Sequence, residues 1–347
     1  MADAMSTVPS DFVLNQADLP TWSAQNTSVD AVLNALAKVR QTELRAATRT
    51  SVATLIIVNR SADELDQAET VIDHLGERHP ARIITLLAPE GAGAGEDRID
   101  ADITLHSGMA EGHQIWSDEI RIRVSGGPAR HLASLLRPLQ LSDLPVLVWY
   151  VQGMPDERDP LLKLASAVVI DSKTVIDPGE GETSMHNAFR SIAALSRRNL
   201  LVDLSWERLR PWRKLLAAQF DGAVYRPFIQ AIHRVEITGK LGPRTLLAGW
   251  LGSRLDLDRN KMHLYDGRHV EIRLFANVNG TDAEFAVQRV EGEYLIKASV
   301  NIENGPSHEE IVGLPSGALP LSLSAALRRL ERDRIYEQSI KLVGRWQ

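Results

Sequence analysis

Between positions 206 and 214 the chain places Trp206, Arg208, Arg210, Trp212, Arg213 and Lys214, two indoles and four cations, within a sequence of net charge −6. Indole faces beside guanidinium groups build binding surfaces rather than reaction centres. They dominate interface hot spots, where one truncation costs ~2 kcal/mol or more. Pro211 cannot donate a hydrogen bond to residue 207, so the expected arrangement is a turn over Trp206–Leu209 and a helix starting at Pro211. On that helix Trp212, Leu215, Leu216 and Phe220 share one face while Lys214 points away. Two readings stay open: a docking surface, or a core helix whose arginines pair with local carboxylates.

Other residue types capable of chemistry are scattered. Ser125-Gly126-Gly127 ahead of Pro128 is the best candidate anion site, since amides at a helix N-terminus hold phosphate and Arg130 or His131 could add charge. Tight turns use the same glycines. His106 and His113 with Glu111 would make a metal group. They lack helical His-Glu-x-x-His spacing and a further ligand, so surface histidines are the simpler reading. A dinucleotide fingerprint needs glycines after the first strand, yet Val58 is followed by Asn59-Arg60-Ser61-Ala62-Asp63-Glu64. The Gly91-Ala92-Gly93-Ala94-Gly95 run follows the second apolar segment and leads into Glu96-Asp97-Arg98, so it reads as a flexible loop. There is no Walker lysine and no Gly-x-Ser-x-Gly elbow. The acids of Asp156-Glu157-Arg158-Asp159 and Glu180-Gly181-Glu182 sit in loops flanked by proline and glycine. No catalytic, cofactor-binding or metal-binding set assembles from these pieces.

The elements that would position such residues follow from apolar periodicity. Residues 1–28 are polar and read as a flexible N-terminal extension, with Trp22 a possible anchor. A helix is expected from Ser28 to about Ala47. Val52–Val58 is a continuous apolar run and Arg82–Ala88 a second buried strand, the two expected as parallel neighbours joined by a helix over Ala62–Glu77. Asp102–Leu105 and Glu119–Val124 are expected as shorter strands, and Pro128–Leu136 as a helix. Pro145–Val151 is the most apolar strand, Val168–Asp171 closes the set, and a helix covers Thr183–Arg197. This alternation predicts a Rossmann-like, mostly parallel sheet domain over 29–176, without a cofactor fingerprint. Over 177–347 the pattern predicts an α+β domain with an antiparallel sheet. Its strand Ala231–Thr238 would place His233, Val235 and Ile237 on one side, followed by a helix from Pro243 to Leu255. Strands over Arg268–Ala276, Ala283–Val290 and Glu293–Ile302 come next, with turns at Asn279-Gly280 and Glu291-Gly292. A tail helix is expected from Ser322 through Arg334.

Length is sufficient for two cores: 347 residues, 44% hydrophobic and 24% charged. The acidic balance argues against general nucleic-acid binding and a basic membrane patch. Without cysteine, disulfides, thiolate zinc and thiol nucleophiles within this sequence are excluded. No apolar run reaches the ~20 residues of a membrane span. The first residues lack a basic region followed by an apolar core, so a cytoplasmic location is the default expectation. Acids gather over 280–310, and Arg328, Arg329, Arg332, Arg334, Lys341 and Arg345 make the tail basic, patches that could steer a partner.

The segment Asp203 to Asp221 resembles the signature helix of OpcA, the glucose-6-phosphate dehydrogenase assembly protein family. Matching pieces in the family's order are Gly126-Gly127-Pro128-Ala129-Arg130-His131-Leu132-Ala133-Ser134-Leu135, Leu144-Pro145-Val146-Leu147-Val148-Trp149-Tyr150, and Ala167-Val168-Val169-Ile170-Asp171-Ser172. The resemblance covers roughly residues 50 to 300. It implies a non-catalytic assembly factor and allosteric activator that binds glucose-6-phosphate dehydrogenase and supports the oxidative pentose phosphate pathway. It implies Trp206, Arg208, Arg210, Trp212 and Arg213 as partner contacts. The alternative is a sugar-phosphate-binding enzyme or sensor using Ser125, Gly126, Gly127 and Arg130 as its anion site. A bare scaffold for the dehydrogenase would differ from the activator only in timing.

Overall fold

Uninterrupted apolar runs build the first sheet, because both faces of its interior strands are covered. The computed structural model describes residues 22–43, 51–65, 68, 81–110, 113–176, 181–290, 294–314, 322–324 and 330–346. The first sheet contains β1 (Trp22–Ala24), β2 (Thr54–Asn59), β3 (Arg82–Leu87), β4 (Arg98–Ala110), β5 (His113–Ser125), β6 (Val146–Tyr150), β7 (Ala167–Ile170) and β8 (Leu201–Asp203). Their order is β1-β4-β5-β3-β2-β6-β7-β8. Every pairing from β5 across to β8 is parallel. Counted along the chain, these parallel strands lie third, second, first, fourth, fifth, sixth, the doubly wound Rossmann order with its switch point between β2 and β6. At the carboxyl ends of that crevice Asn59 and Tyr150 are both buried, and Asn59 Nδ2 donates to the Leu86 carbonyl at 3.2 Å.

Several elements differ from expectation. The two strands expected to be short form a hairpin of 13 residues each, β4 and β5, whose pairing continues from Arg98↔Ser125 out to Ala110↔His113. Two-residue alternation is masked there by glycine and polar positions, which propensity reads as loop. Trp22 lies in β1, paired antiparallel with β4, so a strand occupies the end of the segment expected to be flexible. The helix expected over Pro128–Leu136 is broken at His131 into α2 (Gly127–Arg130) and α3 (Leu132–Leu136). Residues 92–94 form a 3-10 turn rather than a loose loop, with the Gly93 carbonyl accepting from Arg130. Strand β8, not β7, closes the sheet. Sheet membership therefore changes after Asp203, later than the expected boundary at 176/177.

Helices α1 (Val29–Glu43), α4 (Ser172–Val175) and α5 (Gly181–Arg198) are the remaining helices of this part, besides a helical stretch at 62–65. Ser28 caps α1 as its sequence suggested, its Oγ accepting from Ala31 N at 3.2 Å. The rest of the helix expected over Ala62–Glu77, apart from residue 68, and the end of the helix expected to reach Ala47 lie outside the described residues.

Helices α6 (Leu204–Arg208), α7 (Arg210–Ala218) and α8 (Arg226–Ile229) lead to the second sheet. The sheet comprises β9 (Ile232–Gly239), β10 (Met262–Asp266), β11 (Glu271–Val278), β12 (Thr281–Arg289), β13 (Leu295–Ile302) and β14 (Ser307–Gly313) in the order β10-β9-β11-β12-β13-β14. Four pairings are antiparallel; β10 runs parallel to β9, joined through α9 (Leu241–Leu255). Neither β10 nor β14 was expected, since their exposed patterns lack a buried face. Asn279 and Gly280 both take positive φ, as the hairpin turn requires. The Glu291-Gly292 turn lies outside the described residues. His233 does not share the buried side with Val235 and Ile237. The register slips between Phe275 and Ala276, His233 bulges out, and Ile232 takes the inward place.

The tail differs as well. Residues 322–324 are helical as expected and 325–329 lie outside the described residues, but 330–333 are not helical, and α10 (Arg334–Val343) begins where the expected helix was to end, capped by Asp333. Helix α10 packs on α9 so closely that a Cβ at Gly249 would stand 2.6 Å from the Ser339 carbonyl oxygen. One apolar cluster runs from sheet to sheet, including Val168, Ile170, Phe189, Trp206, Leu247, Phe285 and Tyr336. Among the described residues no helix is long and apolar enough to cross a membrane.

Candidate functional site

Strands β7 and β8 end side by side, each on an aspartate that caps the next helix. Asp171 accepts from Lys173 N at 3.2 Å at the start of α4, and Asp203 accepts from Ser205 N at 2.9 Å at the start of α6. An N-cap carboxylate satisfies orphan helix amides, which is why the chain turns into helix at both places. The caps also cross: Asp203 Oδ1 accepts from Ser172 N at 3.0 Å, and Ser205 Oγ donates to Asp171 at 2.5 Å. Arg208 Nη2 lies 2.6 and 2.7 Å from the two Asp171 oxygens and 2.9 Å from Ser205 Oγ.

Helix α10 closes this network from above. Tyr336 OH donates to Asp203 Oδ2 at 3.0 Å, and Trp206 Nε1 donates to Asp333 Oδ2 at 2.7 Å. The Trp206 and Tyr336 rings meet at 5.5 Å between centroids. The Arg213 guanidinium lies over the Trp206 ring, 3.4 Å from its centroid, and its Nη2 donates to the Trp206 carbonyl at 3.1 Å. Arg210 pairs with Glu207 one helical turn away. A cavity of about 290 Å³ opens here, lined by Asp203, Trp206, Glu207, Arg210, Arg213 and residues 331–333 and 336.

Burial sets the protonation chemistry. It pushes the Asp203 carboxyl up to about 6, with the neighbouring Asp171 charge adding to the effect and the bonds from Ser172 and Tyr336 opposing it. Burial, then Asp203, holds the Tyr336 hydroxyl well above its ordinary value. Burial draws the Arg213 guanidinium down to about 10, against the pull of Asp333 and Glu207 and with a push from Arg210. The folded chain thus holds the Asp203 proton more tightly than an unfolded carboxyl near 4 does. The stability linked to that proton is full below pH ~4 and is lost as pH rises through ~6. Between pH 4 and 7 the native protein is expected to lose on the order of 2 kcal/mol relative to Asp203→Asn. Urea unfolding of both chains across that range measures the difference, and a pH-independent gap would refute it.

The sequence candidates separate into different environments. Trp206 is 2% exposed and belongs to the core. Arg208 is bound to Asp171. Residues 204–208 are a short helix, not the expected turn, because Asp203 caps them; the second helix starts at Arg210, next to Pro211. Trp212, Leu215, Leu216 and Phe220 do share the inward face, and Trp212 is half-buried. Ser125, Gly126, Gly127 and Arg130 do not offer a vacant anion site. Asp97 Oδ1 accepts from Gly127 N at 2.6 Å, Ser125 Oγ donates to the Glu96 carbonyl at 2.7 Å, and Arg130 donates to Gly93. The chain's own carboxylate takes the place of the ligand. Glu111 and the side chains of His106 and His113 lie outside the described residues.

Sequence reasoning gave no role to Asp171, Asp203, Ser205, Asp333 or Tyr336. A signal existed for the first three: Val-Ile-Asp171-Ser172 and Leu-Val-Asp203-Leu-Ser205 both end an apolar run on a capping aspartate followed closely by serine. None existed for Asp333 and Tyr336, more than a hundred residues away in the chain.

A Rossmann-ordered sheet, an antiparallel-rich second sheet and a Trp/Arg segment clamped at their junction define a two-sheet α/β protein whose polar centre is built into its own scaffold. Two family profiles match it, both describing a "Glucose-6-phosphate dehydrogenase subunit": that of the N-terminal domain over residues 72–187, and that of the C-terminal domain over residues 199–340. The chain belongs to the OpcA family. It is 24% identical over 194 residues to "Putative OxPP cycle protein OpcA" of Synechocystis sp., covering 53% of this chain and 39% of that protein. It is 24% identical over 212 residues to the protein of the same description from Synechococcus elongatus, covering 57% of this chain and 46% of that one. The matches therefore span less than half the length of either relative. Among solved structures, glucose-6-phosphate 1-dehydrogenase from Mycobacterium avium aligns with a TM-score of 0.49 at 11% identity, covering 85% of this chain and 91% of that one.

Proposed function

We propose that this chain binds glucose-6-phosphate dehydrogenase as a non-catalytic subunit and activates it allosterically, in support of oxidative pentose phosphate flux. The match of both domain profiles carries this reading, and the second of them covers the whole Trp/Arg segment. The segment is held in place from within, its polar groups joining two helices, two strand ends and α10, and the exposed Lys214 and part-exposed Arg210 lie on its outer side. Activation then follows from binding the dehydrogenase's active state more tightly than its inactive one.

The candidate contacts divide by burial. Trp206 and Arg208 shape the segment from within. The exposed Lys214 and Arg210, whose side chain is 33% exposed, form its accessible side, with Arg213 half-buried beside them and Trp212 turned toward the core. Co-purification with the dehydrogenase and assay of NADP reduction, with and without this chain, tests the proposal. The native chain should raise the rate saturably. Lys214→Glu, a charge reversal at an exposed position, should raise the half-saturating concentration roughly tenfold, the scale of one hot-spot loss, with thermal unfolding nearly unchanged. Absence of any kinetic effect of the native chain at all ratios would end this reading.

A further inference from the structure

We propose that the cavity beside Trp206 is a binding site for a small oxyanion, a phosphate monoester or a carboxylate, held by the Arg213 guanidinium. Pairing off the charges that line the cavity leads to this site. Glu207 is taken by Arg210. Asp333 holds Trp206 Nε1 and the first amides of α10. Asp203 is held by Ser172, Ser205 and Tyr336. Arg332 donates to the Ser196 carbonyl at 2.7 Å and pairs with Glu337 at 2.8 Å. Among the described residues Arg213 is then the cation lining the cavity that makes no ion pair, since Arg210 and Arg332 each have a carboxylate; the exposed Glu331 makes none either.

Arg213 is the one under tension. Its Nε is buried without an acceptor, and its one hydrogen bond among the described residues runs from Nη2 to a neutral carbonyl. A guanidinium carries five donors, and leaving one of them buried without an acceptor is costly. With Trp206 against one face of the group, the remaining donors lie in the guanidinium plane at the cavity lining, where an oxyanion can accept from them. At about 290 Å³ the cavity lies at the small end of ligand sites, enough for an anionic head group with a short body. Glu331 at the exposed lining disfavours multiply charged anions and suits a ligand that also presents a hydroxyl or a cation. The site is separate from the Gly126–Gly127 turn, where Asp97 already fills the anion position.

The isolated full chain tests this without the dehydrogenase, so its outcome is independent of the proposed partner. Calorimetry is run with orthophosphate, glucose 6-phosphate and succinate at low ionic strength, alongside thermal unfolding. At least one probe should bind with millimolar or tighter affinity and raise the unfolding temperature. Arg213→Gln should weaken that binding about tenfold or more, and Arg213→Lys should retain part of it. Preference among the three probes separates a phosphate from a carboxylate ligand. If Arg213→Gln does not fold, the exposed position decides: Glu331→Gln should tighten binding about twofold to fivefold by removing a like charge. No heat and no thermal shift with any probe up to roughly 10 mM, affinity unchanged in Arg213→Gln, or, where that variant does not fold, affinity unchanged in Glu331→Gln, would overturn the assignment.

Discussion

Trp206→Ala is expected to cost about 3–5 kcal/mol of unfolding free energy, the range for removing a large aromatic from a packed core. Its ring is buried against both Tyr336 and the Arg213 guanidinium. Truncation leaves a cavity, removes the donor that Asp333 accepts from, and strips Arg213 of the surface it lies on. The loss should reach α10, because Asp333 caps that helix and Tyr336 belongs to it. Hydrogen exchange should therefore show faster opening of α10 as well as of α6 and α7. Trp206→Phe keeps most of the packing and loses only the indole donor, so its cost should stay near 1–2 kcal/mol. Denaturant titration of the three chains measures the order. Equal stability of Trp206→Ala and the native protein would mean that the ring is a surface group, as a docking hot spot alone would require.

Arg208→Met carries the second large effect, about 3 kcal/mol, at the low end of the range for breaking a buried ion pair because the arginine is partly exposed. Side-chain exposures of 22% for Arg208 and 9% for Asp171 put most of this pair out of water. Without the guanidinium, the Asp171 carboxylate keeps only Ser205 Oγ and the Lys173 amide among the described residues, beside Asp203 at the sheet edge. Two adjacent buried carboxylates then share too few donors, and Asp203 should become harder still to ionise. Asp171→Asn on the Arg208→Met background should recover part of the loss, since the stranded charge is gone. A double-mutant cycle on unfolding free energy reads this coupling directly. Additive losses would show that the pair does not act as a unit.

These effects bear on how the segment works. Its tryptophans and arginines have the composition of an interface, and composition alone leaves open which of them face outward. Burial gives the answer residue by residue: Trp206 inward, Lys214 outward, and Arg208, Arg210, Trp212 and Arg213 between, with Arg208 tied to Asp171. Charge reversal at both Arg210 and Arg213 would therefore mix a loss of contact with a loss of fold, whereas reversal at the exposed Lys214 isolates contact.

What the sequence determined by itself was whatever local periodicity encodes. The apolar runs at Leu55–Val58, Val146–Tyr150 and Ala167–Ile170, and the nearly apolar Ile83–Leu86, specify strands covered on both faces, hence a parallel, helix-covered sheet. Asn279-Gly280 specifies its hairpin, and the lack of glycine after Val58 removes the dinucleotide turn. Only the tertiary structure decided where polar groups meet. The Asp97 carboxylate reaches Gly127 across the β4–β5 hairpin, 30 residues away, and Tyr336 reaches Asp203 across 133. Long-range partners of this kind leave no periodic trace, because a capping aspartate or a buried tyrosine looks the same in sequence whichever distant group it satisfies. The same holds for β10 and β14, which form because an existing sheet edge offers unpaired backbone, not because their own side chains alternate.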